Sequence, residues 1–362
     1  MLTCVVGTST ALTYWGFGVA VHAMEESFGQ FHRVHCTSAA EMYEQWRRRG
    51  DHCVLFTTDY LEESVCELLR ESGAPIVALT DTAEVAIKTA AKLRMLSCFD
   101  AVRVSSLYIS SLAEALNHDA TTVFSADARN MRVADFVPQF LSALNLSDPE
   151  IAARVLRRVI PSDAQRESLT VEEALDATQS GGDQDDVIAN WSIAEFDCYK
   201  QIASDYQKIL DRSPVQEIVW PAAILYSAAP GFRTDKPLDL LGPARLLVWG
   251  PYMHLTRGYW TASMEFEVVG NLSPNSVIAD VLVGGEFAGL GEFDLPERGV
   301  YTWRLAFEVT EVAKPVEVRL TLEKAAIEGA FFLRQVRLQP IANASRSLVE
   351  PSLRAQRSNL AS

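Results

Sequence analysis

The chain has 362 residues, 48% hydrophobic and 22% charged, with a formal net charge of −15 at pH 7. That length supports two domains of ordinary size, each with its own core, and the composition is that of a globular chain, not of a membrane-embedded or unfolded one. The acidic balance excludes a general binder of nucleic-acid polymers or anionic membranes, which needs clustered Lys and Arg to neutralise phosphate.

The first 160 residues alternate short β-rich runs with helical periodicity, the pattern of a parallel sheet covered by helices. Strands are expected at Leu2–Gly7, Phe31–Cys36, Cys53–Thr57, Pro75–Thr80 and Thr121–Ser125. Helices are expected at Tyr14–Ser27, Ala39–Arg49, Leu61–Ser72, Ala83–Leu93, Val102–Leu116 and Arg132–Leu144. Thr82 with Glu84 marks one helix start, Ser147 and Asp148 before Pro149 mark another, and Gly73 is placed to end a third. The apolar opening Leu2–Ala23 lacks a basic leader and is broken by Gly7, Thr8, Ser9 and Thr10, so it reads as strand and helix, not as a signal peptide or a membrane span.

Between Ser162 and Asp186 the acidic residues Asp163, Glu167, Glu172, Glu173, Asp176, Asp183, Asp185 and Asp186 face a single base, Arg166, which reads as a solvated connector. Val187–Leu210 follows, with Ile193, Phe196, Ile202, Tyr206 and Ile209 at helical spacing, as one bridging helix. From Val219 the texture changes to alternating apolar and polar residues between turn signals. Arg245–Trp249, Gly258–Val268, Val277–Val283, Glu286–Asp294, Gly299–Glu308, Val316–Glu323 and Ala330–Gln339 are the strands of a sandwich. Residues 341–362 are polar and without period, as in a disordered tail.

The expected fold class is therefore an α/β three-layer parallel-sheet domain (1–160), an acidic linker and bridging helix (161–214), an all-β, jelly-roll-like sandwich (215–340) and a tail (341–362). All six cysteines (Cys4, Cys36, Cys53, Cys66, Cys98, Cys198) precede the sandwich and several sit in apolar runs. Thiols that pack as small hydrophobes imply a reducing compartment and a cytoplasmic location.

In an open parallel sheet the ligand lies beyond the carboxyl ends of the strands. Thr8, Ser9, Thr10 and Thr13 follow the first strand, and hydroxyls with free N–H groups at a helix N-terminus can bind an anion. The same residues serve any strand-to-helix turn. This turn lacks the second glycine and the lysine of a phosphate-cradling P-loop.

The stretch Cys4–Trp15, C-V-V-G-T-S-T-A-L-T-Y-W, resembles the 5′-phosphosulfate loop of sulfotransferases that use an activated-sulfate nucleotide. Pro75–Lys88, P-I-V-A-L-T-D-T-A-E-V-A-I-K, is similar to that family's strand ending in Arg-x-Pro-x-Asp with a Ser four residues on, and Val133–Leu146 with Ser147–Val159 resembles its late helices. The resemblance covers residues 1–160 and implies a P-loop-like fold with a nucleotide at Thr8–Thr13 and Lys88. The departures fall on the phosphate grips: Ala11 stands at a family Gly, Thr80 at the Arg, Thr82 at the Pro, Glu84 at the Asp and Lys88 at the Ser. Asp59, Asp81 and Asp127 also follow predicted strands, where each unshielded like charge near a phosphate costs about 1 to 4 kcal/mol. The nearby compensators are Arg129, Arg132 and Lys88. These departures imply a degenerate domain that has lost activity.

Zinc is not expected from His32, His35, Cys36, His52 and Cys53, because alternation on a strand points His35 away from His32 and Cys36. Were the domain catalytic, Asp59 and His22 are the general-base candidates.

The sandwich carries Trp249, Tyr252, Tyr259, Trp260, Tyr301 and Trp303 close together. Alternation assigns Trp260, Ala262, Met264 and Phe266 to the core. Trp249 and Tyr252 flank the turn Gly250–Pro251 and are the candidates for stacking on sugar rings. Gly242–Trp260 (G-P-A-R-L-L-V-W-G-P-Y-M-H-L-T-R-G-Y-W), Val316–Leu320 (V-E-V-R-L) and Ile327–Phe331 (I-E-G-A-F) resemble jelly-roll, carbohydrate-binding-like domains appended to bacterial glycosyltransferases and related polysaccharide enzymes. The combined expectation is a bacterial, glycan- or polysaccharide-associated protein, with carbohydrate as its partner at Trp249 and Tyr252 and a degenerate sulfotransferase-like domain. The alternatives are an active sulfotransferase, whose cofactor is the activated-sulfate nucleotide, and an interaction scaffold whose protein partners the residues do not specify.

Overall fold

A computed structural model describes residues 1–160, 168–179, 186–228, 236–341 and 352–355. Contacts divide the chain into two compact units. The first comprises Met1–Ser97, Tyr108–Asn190 and Gln207–Ser213, and the second Cys98–Leu107, Trp191–Tyr206 and Pro214–Ser362. Among the described residues no helix is long and apolar enough to cross a membrane.

The first unit is an α/β fold. In chain order run β1 (Leu2–Gly7), α1 (Ala11–Phe28), β2 (His32–Val34), α2 (Ala39–Arg48), β3 (Val54–Thr58), α3 (Glu63–Ser72), β4 (Ile76–Leu79), α4 (Ala83–Arg94), α5 (Cys98–Leu116, of which Cys98–Leu107 is assigned to the second unit), β5 (Thr121–Phe124), α6 (Val133–Ala143), α7 (Pro149–Val159), α8 (Val171–Gln179) and α9 (Asp186–Ala189). The five strands are parallel in the order β2-β3-β1-β4-β5, with Cys4 opposite both Phe56 and Ile76. Every residue of β3 and β4 is buried, the signature of strands covered on both faces. On one face Val5, Leu55, Val77 and Leu79 pack against Phe17, Ala20 and Met24 of α1 and Phe136 and Phe140 of α6. Local capping follows the sequence: Thr82 accepts from the Val85 N–H, Asp148 from the Glu150 N–H ahead of Pro149, and Gly73 closes α3 at φ 62°.

Three readings of the connecting regions change. α1 begins at Ala11 and not at Tyr14, because Thr10 takes the N-cap position and the small or apolar residues after it enter the first turn. The acidic stretch is more than a solvated connector: Val171–Gln179 is helical, with Val171, Ala174 and Leu175 in the first unit's core, and Thr170 and Glu173 cap it reciprocally. Residues 163, 167, 183 and 185 of that stretch lie outside the described residues. Val187–Leu210 is not one helix. It breaks after α9 because Trp191 is buried against Phe196 and Tyr199, and Ser192 with Glu195 starts α10 (Ile193–Leu210) as a capping box.

In the second unit, β6 (Ile218–Pro221), β7 (Tyr226–Ser227), β8 (Leu238–Asp239), β9 (Arg245–Trp249), β10 (Pro251–Met253), β11 (Gly258–Val269), β12 (Ser276–Val283), β13 (Glu286–Asp294), β14 (Gly299–Val309), β15 (Val316–Leu322), β16 (Ala330–Pro340) and β17 (Ser352–Ala355) form two antiparallel sheets. One runs β13-β12-β15-β9-β7 with β10 also beside β15, and the other β17-β14-β11-β16-β6 with β8 also beside β16. Ser352–Ala355, within the stretch read as a tail, pairs with β14 as an edge strand. Alternation builds the core: Trp260, Ala262, Met264 and Phe266 of β11 are all buried, as are Val316, Val318, Leu320 and Leu322 of β15. Trp260 is a core residue whose indole N–H donates to the Thr256 carbonyl. Phe266 sits among Phe293, Phe331 and Tyr301 with ring centroids 5.0–6.0 Å apart.

Truncation should separate core from surface. Phe266→Ala is expected to destabilise the protein by about 3–5 kcal/mol in urea denaturation, whereas Phe287→Ala, at a side chain 68% exposed, should change stability by no more than about 0.5 kcal/mol. His254 supplies a pH test. Burial holds its imidazole below the ordinary histidine range, against the opposing bond from Nδ1 to the Val312 carbonyl at 2.8 Å. A depressed histidine stabilises the fold fully above its unfolded pKa. Stability should therefore decline as pH falls below about 6.5, and His254→Gln should flatten that part of the stability–pH curve.

Candidate functional site

The strand order sends the chain from β1 toward β2 and from β4 toward β5, so β1 and β4 are neighbours whose connections diverge. That is the switch point where an open α/β sheet forms its ligand crevice. Here hydrogen bonds link the two exits. The Thr8 N–H donates to the Leu79 carbonyl (3.0 Å), the Thr13 hydroxyl donates to the same oxygen (3.1 Å), and the Asp81 N–H donates to Thr8 Oγ1 (3.1 Å). Glycines permit the approach. A Cβ on Gly7 would lie 2.3 Å from Leu79 O and one on Gly16 2.2 Å from Leu79 Cδ1.

Two of the four hydroxyls read as anion ligands are thus committed to backbone. Ser9 Oγ lies 2.7 Å from the Tyr14 hydroxyl, which donates to Asp59 Oδ2 at 2.7 Å. Burial, helped by Asp59 and opposed by the Ser9 bond, pushes the Tyr14 phenol up to about 12. Thr10 differs from these. Among the described residues its buried hydroxyl has no partner, it does not cap α1, and the N–H groups of Ala11, Leu12 and Thr13 make no bond outside the helix.

The cations are answered by carboxylates. Arg129, in the 3₁₀ turn Ala126–Asn130 after β5, meets the buried Asp81 with Nε at 2.9 Å and Nη2 at 2.5 Å, and also bonds Glu172 of α8. Burial opposes its charge, but these bonds outweigh burial and hold the guanidinium above its ordinary range. Lys88 pairs with Glu84 at 3.6 Å and Arg132 with Asp135 at 2.6 Å, both on the surface. Asp59 reaches the edge of the turn, but His22 does not join it: eleven residues along α1 from Ala11 is roughly 17 Å, and its ring faces Glu25 at 3.6 Å. A cleft of about 660 Å³ opens beside β5 and α6, and its one ionisable lining residue is Asp127. Among the described residues no group of His, Cys, Asp and Glu could hold a metal.

In the sandwich, Trp249 and Tyr252 come together around a third ring, Tyr226. Tyr226 of β7 lies parallel to Trp249 (centroids 6.0 Å, 21°) and beside Tyr252 (6.1 Å). Arg103 sits 4.9 Å above Tyr226 and donates to the carbonyls of Pro251 and Ile224. Gly250 at φ 101° and Tyr252 at φ 64° turn the chain here, and a Cβ on Gly250 would press Tyr226 at 3.1 Å. The left-handed turn aims the Tyr252 hydroxyl at Glu317 Oε1 (3.0 Å). Burial first, and that carboxylate second, push its phenol up to about 12.

No family model matches the chain, and no curated protein sequence matches it. Among solved structures it is similar to mouse sulfotransferase SULT7A1 complexed with PAP (11% identity, 58% of this chain and 87% of that chain, TM-score 0.38). It is also similar to the CBM36-1 domain of a multidomain xylanase from the hindgut metagenome of Trinervitermes trinervoides (11%, 35% and 98%, TM-score 0.25). A third is the C-terminal CBM6 of LamC from Zobellia galactanivorans (10%, 29% and 99%, TM-score 0.18). These values are too low for chemistry to pass from those proteins to this one.

Removing the guanidinium strands a buried charge. Arg129→Ala should cost about 3–5 kcal/mol in urea denaturation, and most of that loss should return in Arg129→Ala/Asp81→Asn, where no charge is left stranded. Equal stability of the single and double variants would show that the pair does not hold this edge.

Proposed function

We propose that this is a glycan-associated binding protein: the sandwich holds carbohydrate at the Tyr226, Trp249 and Tyr252 cluster, and the α/β unit is a degenerate sulfotransferase-like domain that no longer grips a nucleotide. One observation carries the second half. Arg129 is closed onto Asp81 and Glu172, two carboxylates for one guanidinium, and the Asp81 N–H in turn bonds Thr8 in the turn after β1. A polyanionic nucleotide entering there meets a net negative rim, and releasing Arg129 to serve it would strand Asp81 in the interior. For the sandwich, the reading rests on three half-buried aromatic rings held rigid beside fixed polar groups, a surface suited to the flat C–H faces and equatorial hydroxyls of a sugar.

A second reading has its own support. The unpartnered Thr10 hydroxyl and the uncapped N–H groups of α1 are donors that could receive a phosphate and steady charge developing during sulfuryl transfer. A thermal-shift titration of the full chain with adenosine 3′,5′-bisphosphate, with and without Mg²⁺, separates the two. The expected result is no saturable shift. Stabilisation that follows RT ln(1 + [L]/Kd) and disappears in Thr10→Val would overturn the loss of nucleotide grip and favour the second reading instead.

A further inference from the structure

One face of the sandwich carries more than the aromatic cluster. Along β15 the buried residues Val316, Val318, Leu320 and Leu322 turn Glu317, Arg319 and Thr321 outward. The register extends that face across the sheet. Arg319 stands opposite Asp280, Glu317 opposite Leu282, and these in turn stand opposite Leu290 and Phe287 of β13. On the other flank, Tyr252 meets Glu317, and Tyr226 stacks with Trp249. Rings, polar groups and leucines thus share one sheet face, with Asp280 and Leu282 of β12 buried between its two flanks. At about 4.8 Å per strand, β7 to β13 spans roughly 19 Å.

Two properties point to the occupant. The polar groups are locked to one another: Arg319 grips Asp280 at 2.7 and 3.1 Å and lies 5.4 Å over the Phe287 ring, Glu317 accepts from Tyr252, and Arg103 bonds Asp100 at 2.8 Å. Each cation named on this face is matched by a carboxylate, so the surface has no surplus positive charge for sulfate or uronate groups. The apolar groups at the far end are open, with Phe287 68% and Leu290 60% exposed, so a ligand that reaches them gains stacking area.

We infer that this outer face is an extended platform for an uncharged oligosaccharide lying across the strands, with one sugar on the Tyr226, Trp249 and Tyr252 cluster and a later one on Phe287. The inference rests on the glycan-binding reading of the sandwich and adds to it the direction, length and charge of the ligand. The span exceeds a disaccharide, so the platform takes internal stretches of a chain and does not depend on a chain end.

Isothermal titration of the full chain with disaccharides and hexasaccharides of β-glucan, xylan and mannan, and with a sulfated hexasaccharide, tests it. The expected result is that at least one neutral hexasaccharide binds about tenfold tighter than its disaccharide, a difference of about 1.4 kcal/mol. Phe287→Ala should bring the hexasaccharide down to the disaccharide's affinity, Trp249→Ala should remove both, and the sulfated chain should not bind better. Length-independent binding, or a hexasaccharide affinity unchanged by Phe287→Ala, overturns the platform and leaves the glycan reading intact. A tighter sulfated ligand, or loss of a dimer in Phe287→Ala without change in glycan affinity, also overturns it. If no glycan of any length binds, the reading on which it rests fails as well.

Discussion

A carboxylate that is 1% exposed at the end of β4 has to be answered by a positive charge, and the α/β edge is arranged around that requirement. Asp81 draws in Arg129 from the turn after β5, and Arg129 draws in Glu172 from α8. The Asp81 N–H meanwhile bonds Thr8 after β1. One residue therefore joins the exits of β1, β4 and β5 and anchors the helix that the acidic stretch forms. These exits are the positions from which an open sheet usually recruits ligand contacts. Here they are used to satisfy a buried charge.

α1 also approaches β4 closely. Gly7 and Gly16 leave no room for side chains against Leu79, and the Thr13 hydroxyl is spent on the Leu79 carbonyl. The turn keeps the outward form of an anion site, hydroxyls at the start of a helix, while most of those hydroxyls have internal partners. Thr10 is the exception, with a buried hydroxyl that has no partner among the described residues.

Much of the fold was legible in the sequence because periodicity reports burial. The strands of the parallel sheet and most strands of the sandwich were located within a few residues, and the core assignment of Trp260 followed from alternation alone. The boundaries that moved had local explanations present in the sequence: Ser192-x-x-Glu195 and Thr170-x-x-Glu173 are capping boxes hidden in stretches whose acidity suggested solvent. The site was harder to read. Asp81 and Arg129 are 48 residues apart, and no local pattern marks one as the other's partner. Tyr226 lies on a two-residue strand, too short to show alternation, so the ring that joins Trp249 to Tyr252 was invisible. His22 shares a helix with the turn, but about three turns of α1 separate it from the sheet edge, and its ring faces Glu25.

The two units treat paired charge in opposite ways, and the difference bears on function. At the sheet edge of the α/β unit, Asp81 and Arg129 are taken into the interior, where breaking the pair is expensive and the geometry resists rearrangement around a ligand. On the sandwich face, Asp280 is buried but Arg319 remains 28% exposed, and its outward side borders an exposed ring. That pair is firm enough to fix the direction of its donors and open enough to offer one to a neutral ligand without giving up its carboxylate. Polar groups already fixed in place lose little freedom on binding, so a surface of this kind gains more from a longer ligand than from a more highly charged one.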